Sequence, residues 1–109
     1  MQDCTVTDPL LQPFHLKHLL LKNRIMTTSH EPAYPEDGMP KSRYCAYHTE
    51  RARGGVALTM TAGSAAVSRD SPPVFNNILA YQDEVVPWIQ DLTDACHEHG
   101  CAVMIQLTH

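Results

Sequence analysis

The sequence predicts an α/β fold of parallel strand–helix units, and three observations carry that reading. Short apolar runs at 24–29, 56–60 and 101–107 alternate with two helical stretches, the order that builds a parallel sheet covered by helices. The joints from helix to strand are short and marked by Gly54-Gly55 and Gly100, whereas the loops from strand to helix are long. All the long loops therefore fall on one face, the asymmetry of an α/β barrel whose site is built from the loops after the strands.

Each element follows in order. Residues 1–9 are polar, end in Asp8-Pro9 and read as a flexible leader. In the stretch 10–24, Phe14 and Leu16 alternate with polar residues and Lys17-His18 provides a two-residue turn, a short hairpin without the usual turn glycine. A β-branched strand over 24–29 comes next. The loop from His30 to Met39 gathers Pro32, Pro35 and Gly38 with Glu31, Glu36 and Asp37, and long ordered loops tend to carry function. Pro40 and Ser42 open a helix to Arg53, with Gly54-Gly55 as a left-handed cap. Arg51 and Arg53 in its last turn suit the helix dipole.

The second strand, over 56–60, is broken by the segment 61–64, and a loop with Ser71-Pro-Pro73 runs on to Tyr81. Asp83 is the expected N-cap of a second helix through Trp88, Ile89, Leu92 and Cys96, with Pro87 tolerated near its first turn and Gly100 as its C-cap. The last run, Cys101-Ala-Val-Met-Ile-Gln-Leu-Thr-His109, is apolar on both faces and reads as a buried parallel strand. Gln106 within it needs partners for its amide, or aims it at something polar at the strand's carboxyl end.

Composition narrows the functional classes. The chain has 109 residues, 43% hydrophobic and 18% charged, with a formal charge of −4, so it is ordinary globular material without the basic stripe of a nucleic-acid binder. No apolar run reaches membrane-helix length and no signal-peptide profile opens the chain, so the expected location is the cytoplasm. Cys4, Cys45, Cys96 and Cys101 form no CxxC pair and are expected as reduced thiols. No GxGxxG, P-loop or GxSxG motif occurs, which leaves nucleotide and serine hydrolysis without support.

Several residues invite a chemical reading beside a bland one. The cluster Cys96-His97-Glu98-His99-Gly-Cys101 has the composition of a metal site, but its positions diverge around a helix; the bland reading packs Cys96 on the sheet and leaves His97 and His99 exposed. Glu31, Glu36 and Asp37 read as proton-transfer acids or as solvated loop charges. His30, directly after a strand end, would face a barrel mouth. Thr27, Thr28 and Ser29 either satisfy backbone or face a ligand, and Tyr34 and Tyr81 are loop aromatics without an assigned task.

Three segments together resemble the flavin-dependent Old Yellow Enzyme family, in its bacterial NADH:flavin oxidoreductase branch of dienoyl-CoA reductases and trimethylamine dehydrogenase. They are Leu11-Gln-Pro-Phe14 with Leu19-Leu-Leu-Lys-Asn-Arg-Ile25; Asp37-Gly-Met-Pro40 with Tyr47-His-Thr-Glu-Arg-Ala-Arg-Gly-Gly-Val-Ala-Leu58; and Met104-Ile-Gln-Leu-Thr-His109. Each segment is weak alone, and their order and spacing are specific. The resemblance implies that 10–109 is the N-terminal portion of a TIM (β/α)8 barrel, an opening hairpin and about three β/α units, truncated after the third strand. It implies FMN as cofactor and NAD(P)H as reductant, with hydride passing through the flavin to an enone, dienoyl or amine substrate.

By the same resemblance Thr28, Ser29 and His30 lie along the flavin, Thr61 approaches its pyrimidine edge, and Gln106 hydrogen-bonds that edge. An amide suits that task because it donates and accepts at once. Glu31 stands where relatives carry a flavin-tuning threonine or cysteine, or the cysteine that attaches the flavin covalently, so a cysteinyl flavin is not expected. A carboxylate there disfavours an anionic reduced flavin or recognises a cationic amine, and the segment Thr28-Ser-His-Glu-Pro-Ala-Tyr34 is similar to a subgroup linked to amine demethylation. Catalytic residues, phosphate-binding loops and any 4Fe-4S cysteines are expected in later strands and none in this chain. The partners expected are a small-molecule substrate and further copies of the chain. The competing reading is a non-catalytic α/β module that self-associates or binds metal through Cys96, His97, His99 and Cys101.

Overall fold

The structure, a computed structural model, describes residues 7–61, 65–72 and 76–109. After a 3-10 turn at Pro9–Leu11, the chain forms a hairpin of β1 (Phe14–Leu16) and β2 (Leu19–Leu21), then β3 (Met26–Thr27), helix α1 (Ser42–Arg53), β4 (Leu58–Met60) and β5 (Ala65–Ala66). Helix α2 (Val85–His97), β6 (Ala102–Met104) and β7 (Leu107–Thr108) complete it. Strands β3, β4 and β6 form a parallel sheet in that order, with Thr27 opposite Thr59 and Thr59 opposite Val103. The expected parallel α/β order is present.

Helix α1 buries Tyr44, His48 and Ala52, spaced four residues apart and so stacked on one face, against β4 and α2. Helix α2 buries Val85, Leu92 and Cys96 against β6. A second, smaller cluster joins Leu21 of the hairpin to Ala57 and Leu58, so the hairpin packs beneath the amino ends of the strands. The hairpin turn dispenses with glycine because Lys17 takes the left-handed conformation, φ 54°. Asn23 fastens hairpin to sheet: its Nδ2 donates to the Gly55 carbonyl at 2.8 Å and its Oδ1 accepts from Ile25 N at 3.0 Å.

Four expectations need correction or refinement. The leader's first six residues lie outside the described ones, but Asp8 is fixed, its Oδ1 accepting from Leu10 N at 3.0 Å. Asp83 is not an N-cap. Helix α2 begins at Val85, and the turn before it satisfies the first amides through Gln82 O and Asp83 O at 3.0 and 3.1 Å; Pro87 supplies no donor in that turn. The segment expected to break after Met60 resumes as β5, which pairs in parallel with β7. The last run is therefore two strands divided at Ile105-Gln106. Nor is its second half buried: Met104, Ile105 and Leu107 are 38, 40 and 60% exposed, and no strand among the described residues pairs with the far side of β6. No helix among the described residues is long and apolar enough to cross a membrane.

Candidate functional site

The carboxyl ends of β3, β4 and β6 deliver the expected polar residues to one rim. The Ser29 hydroxyl donates to Gln106 Oε1 across the sheet. Thr61 Oγ1 accepts from Gln106 N at 3.4 Å, and Ala65 N donates to Gln106 O at 3.2 Å. The structure thus brings Ser29, Thr61 and Gln106 together. Gln106 is exposed there, and among the described residues its Nε2 has no partner. Thr61 is fully buried, so it shapes the strand ladder with its hydroxyl rather than presenting it outward. Thr28 and His30 are exposed at the same strand end, and Glu31 is half-buried. One Glu31 oxygen, Oε1, accepts from Ala33 N at 3.0 Å.

Beneath the rim runs a buried polar chain that the sequence did not reveal. Thr27 Oγ1 lies 2.9 Å from Thr59 Oγ1, which lies 2.7 Å from His48 Nδ1. His48 is buried, with Nε2 unpartnered among the described residues. Burial and the neighbouring Arg51 charge lower its pKa to about 4, so the ring is neutral near pH 7. Its position four residues after Tyr44 and four before Ala52, on the helix's inward stripe, was the available signal. At the outer edge of the same rim, Ser71 Oγ lies 3.0 Å from His109 Nδ1, tying the loop after β5 to the end of β7.

The cysteine–histidine cluster divides as the helix dictates. Cys96 and Cys101 are buried, whereas His97 is exposed. The hydrogen bond between the two cysteines pushes the Cys96 thiol up, with burial adding to it, and holds the Cys101 thiol down. Among the described residues no three His, Cys, Asp or Glu side chains converge on a metal-sized site. Cys4 lies outside the described residues. An apolar groove of about 490 Å³ runs between α2 and the β5–β7 pair, lined in part by Ile78, Val85, Ile89, Ile105 and Leu107.

A hairpin below, parallel strands with helices on one side and polar groups gathered at the carboxyl ends define the opening units of a ligand-binding β/α barrel. Residues 9–109 match the NADH:flavin oxidoreductase / NADH oxidase family, and the chain belongs to it. It is 76% identical over 102 residues to a probable N-methylproline demethylase of Rhizobium meliloti (strain 1021), across 94% of this chain and 15% of that protein. It is 52% identical over 103 residues to a multifunctional alkene reductase/demethylase of Caballeronia cordobensis, with the same two coverages. The chain thus spans 15% of the length of these curated relatives. Among solved structures, a 2-naphthoyl-CoA reductase bound to 2-naphthoyl-CoA superposes with a TM-score of 0.85 at 21% identity, over 93% of this chain and 16% of that one. Morphinone reductase in complex with tetrahydroNAD gives 0.83 at 19% identity, over 94% and 28%. At these identities the structural likeness speaks for the TIM-barrel fold, as the residue motifs led one to expect.

Proposed function

We propose that the full-length protein is an FMN-dependent oxidoreductase that oxidises an N-methylated secondary or tertiary amine, with water, to the demethylated amine and formaldehyde, the two electrons passing through the flavin to an acceptor of the activated-alkene class. The observation that carries this is the convergence of Ser29, Thr61 and Gln106 at the carboxyl ends of three parallel strands. A carboxamide exposed there fits the alternating donor and acceptor edge of a flavin. The chemistry such a flavin supplies is two-electron hydride acceptance and donation. The chain's own residues bind and orient: Gln106 reads the ring edge, the Ser29 hydroxyl holds the carboxamide in place, and Thr61 fixes the backbone from which Gln106 projects. Thr28 and His30 border the ring, and Glu31 offers a carboxylate to a cationic amine. The names of the two curated relatives, both demethylases, support an N-methylated amine, N-methylproline among them.

The test is Gln106→Leu in the full-length protein. Losing a hydrogen-bonding amide against a polar ring edge weakens FMN binding by about 10- to 100-fold, read from the fluorescence of released flavin. An unchanged Kd removes Gln106 from the site. The isolated 109-residue chain is expected to hold FMN poorly and to turn nothing over, because an open run of strands does not close a barrel. A yellow one-to-one complex of that peptide would contradict this.

A further inference from the structure

We propose that Asn76 is a positioning residue for this site: by clamping the loop after β3, it sets the orientation of the Glu31 carboxylate and with it the recognition of a cationic N-methylated amine. The inference rests on the functional reading just given. Asn76 Nδ2 donates to Pro35 O at 2.7 Å and to Ala33 O at 3.2 Å. Two carbonyls of the first loop, those of Ala33 and Pro35, therefore hang on one carboxamide from the second loop.

The backbone explains why a clamp is needed there. Ala33 has φ 59°, in the left-handed region that an alanine enters only under constraint. The amide of the same residue donates to Glu31 Oε1, 3.0 Å away. Alanine has no side chain with which to stabilise the turn, so the constraint comes from outside. Asn76 supplies it from a left-handed conformation of its own, φ 56°, which asparagine tolerates better than most residues. A second tie lies further along the same two loops, where Leu79 N donates to Gly38 O at 2.8 Å. The first loop is thus tied to 76–79 at its middle, through Ala33 and Pro35, and near its end, through Gly38. Glu31 is oriented through the sequence Asn76 to Ala33 carbonyl, Ala33 amide to carboxylate.

The decisive variants are Asn76→Gly, which keeps the left-handed backbone open and removes only the carboxamide, and Glu31→Gln, alone and combined. Steady-state kinetics of the full-length flavoprotein with N-methylproline are expected to show an approximately tenfold higher KM for Asn76→Gly, with kcat and bound flavin within about twofold of wild type. The double variant should be no worse than Glu31→Gln alone, since both act through one carboxylate. Amide exchange at Ala33 should accelerate in Asn76→Gly. A wild-type KM in Asn76→Gly, KM effects that multiply in the double variant, or loss of flavin together with the KM change would each overturn the proposal. If the wild-type protein oxidises no amine, the functional reading fails by itself. The exchange measurement then decides the clamp: unchanged Ala33 exchange in Asn76→Gly refutes it, and faster exchange sustains it.

Discussion

Replacing Gly38 by alanine is expected to destabilise the fold by about 3 kcal/mol. Two separate costs combine. Gly38 has φ 77°, where an added Cβ costs about 1–2 kcal/mol from backbone sterics alone. That Cβ would also lie 2.5 Å from both Cγ and Cδ1 of Leu79 and 3.2 Å from its Cβ, an overlap of the sort that costs about 1–3 kcal/mol when a packed site must move. Leu79 is poorly placed to retreat. Its amide donates to Gly38 O at 2.8 Å, so backing away stretches the bond that holds the two loops together. Chemical denaturation of the Gly38→Ala protein checks the magnitude, and a change below about 1 kcal/mol means that the loops yield freely. Leu79→Ala added to Gly38→Ala should recover part of the loss, because it removes the opposing atoms but leaves the backbone penalty.

The second large effect is a loss of stability in mild acid, centred on His48. Its folded pKa of about 4 lies below the ordinary 6.5, because burial and the Arg51 charge disfavour the imidazolium. As pH falls, the unfolded chain takes up the proton first. The stabilisation held in the neutral buried ring is complete above about pH 6.5 and is lost progressively as pH drops towards 4, by roughly 2–3 kcal/mol in all. Hydrogen exchange of the α1 amides, compared at pH 7.5 and 4.5 after correction for intrinsic rates, should report an opening free energy reduced by that amount. In His48→Gln, which cannot charge, the difference should largely vanish. Equal acid sensitivity in both proteins would place the titrating group elsewhere.

These two residues show where a sequence speaks and where it does not. Helices α1 and α2 were legible because apolar residues repeat at helical spacing and because Gly54-Gly55 and Gly100 end the runs; Gly55 and Gly100 do adopt φ 111° and 69°. The strand-end polar residues were legible through motif order, and Ser29, Thr61 and Gln106 do meet. The division of the last run was hidden, since an apolar string does not reveal that its second half will leave β4 and pair with the short Ala65–Ala66 strand. Asp83 looked like a cap by residue type, yet backbone carbonyls of the preceding turn satisfy the amides it would have served. The burial of His48 could be read from its helical spacing, but its partner could not, nor could the role of Asn76. Each matters for a partner reached through tertiary folding, Thr59 across from the helix and Ala33 some 43 residues earlier, and no local pattern encodes such pairs.

The hydrogen bond between Ser29 and Gln106 joins residues separated by 77 positions that lie just past the carboxyl ends of the two outer strands of the sheet. Closing so long a loop is entropically slow, and the contact has nothing to reach until β4 lies between its two ends. The rim is therefore among the last features to form as the chain folds. Flavin captured there would act as a kinetic reporter, with ring-edge binding emerging after helix formation and only once all three strands have found their register.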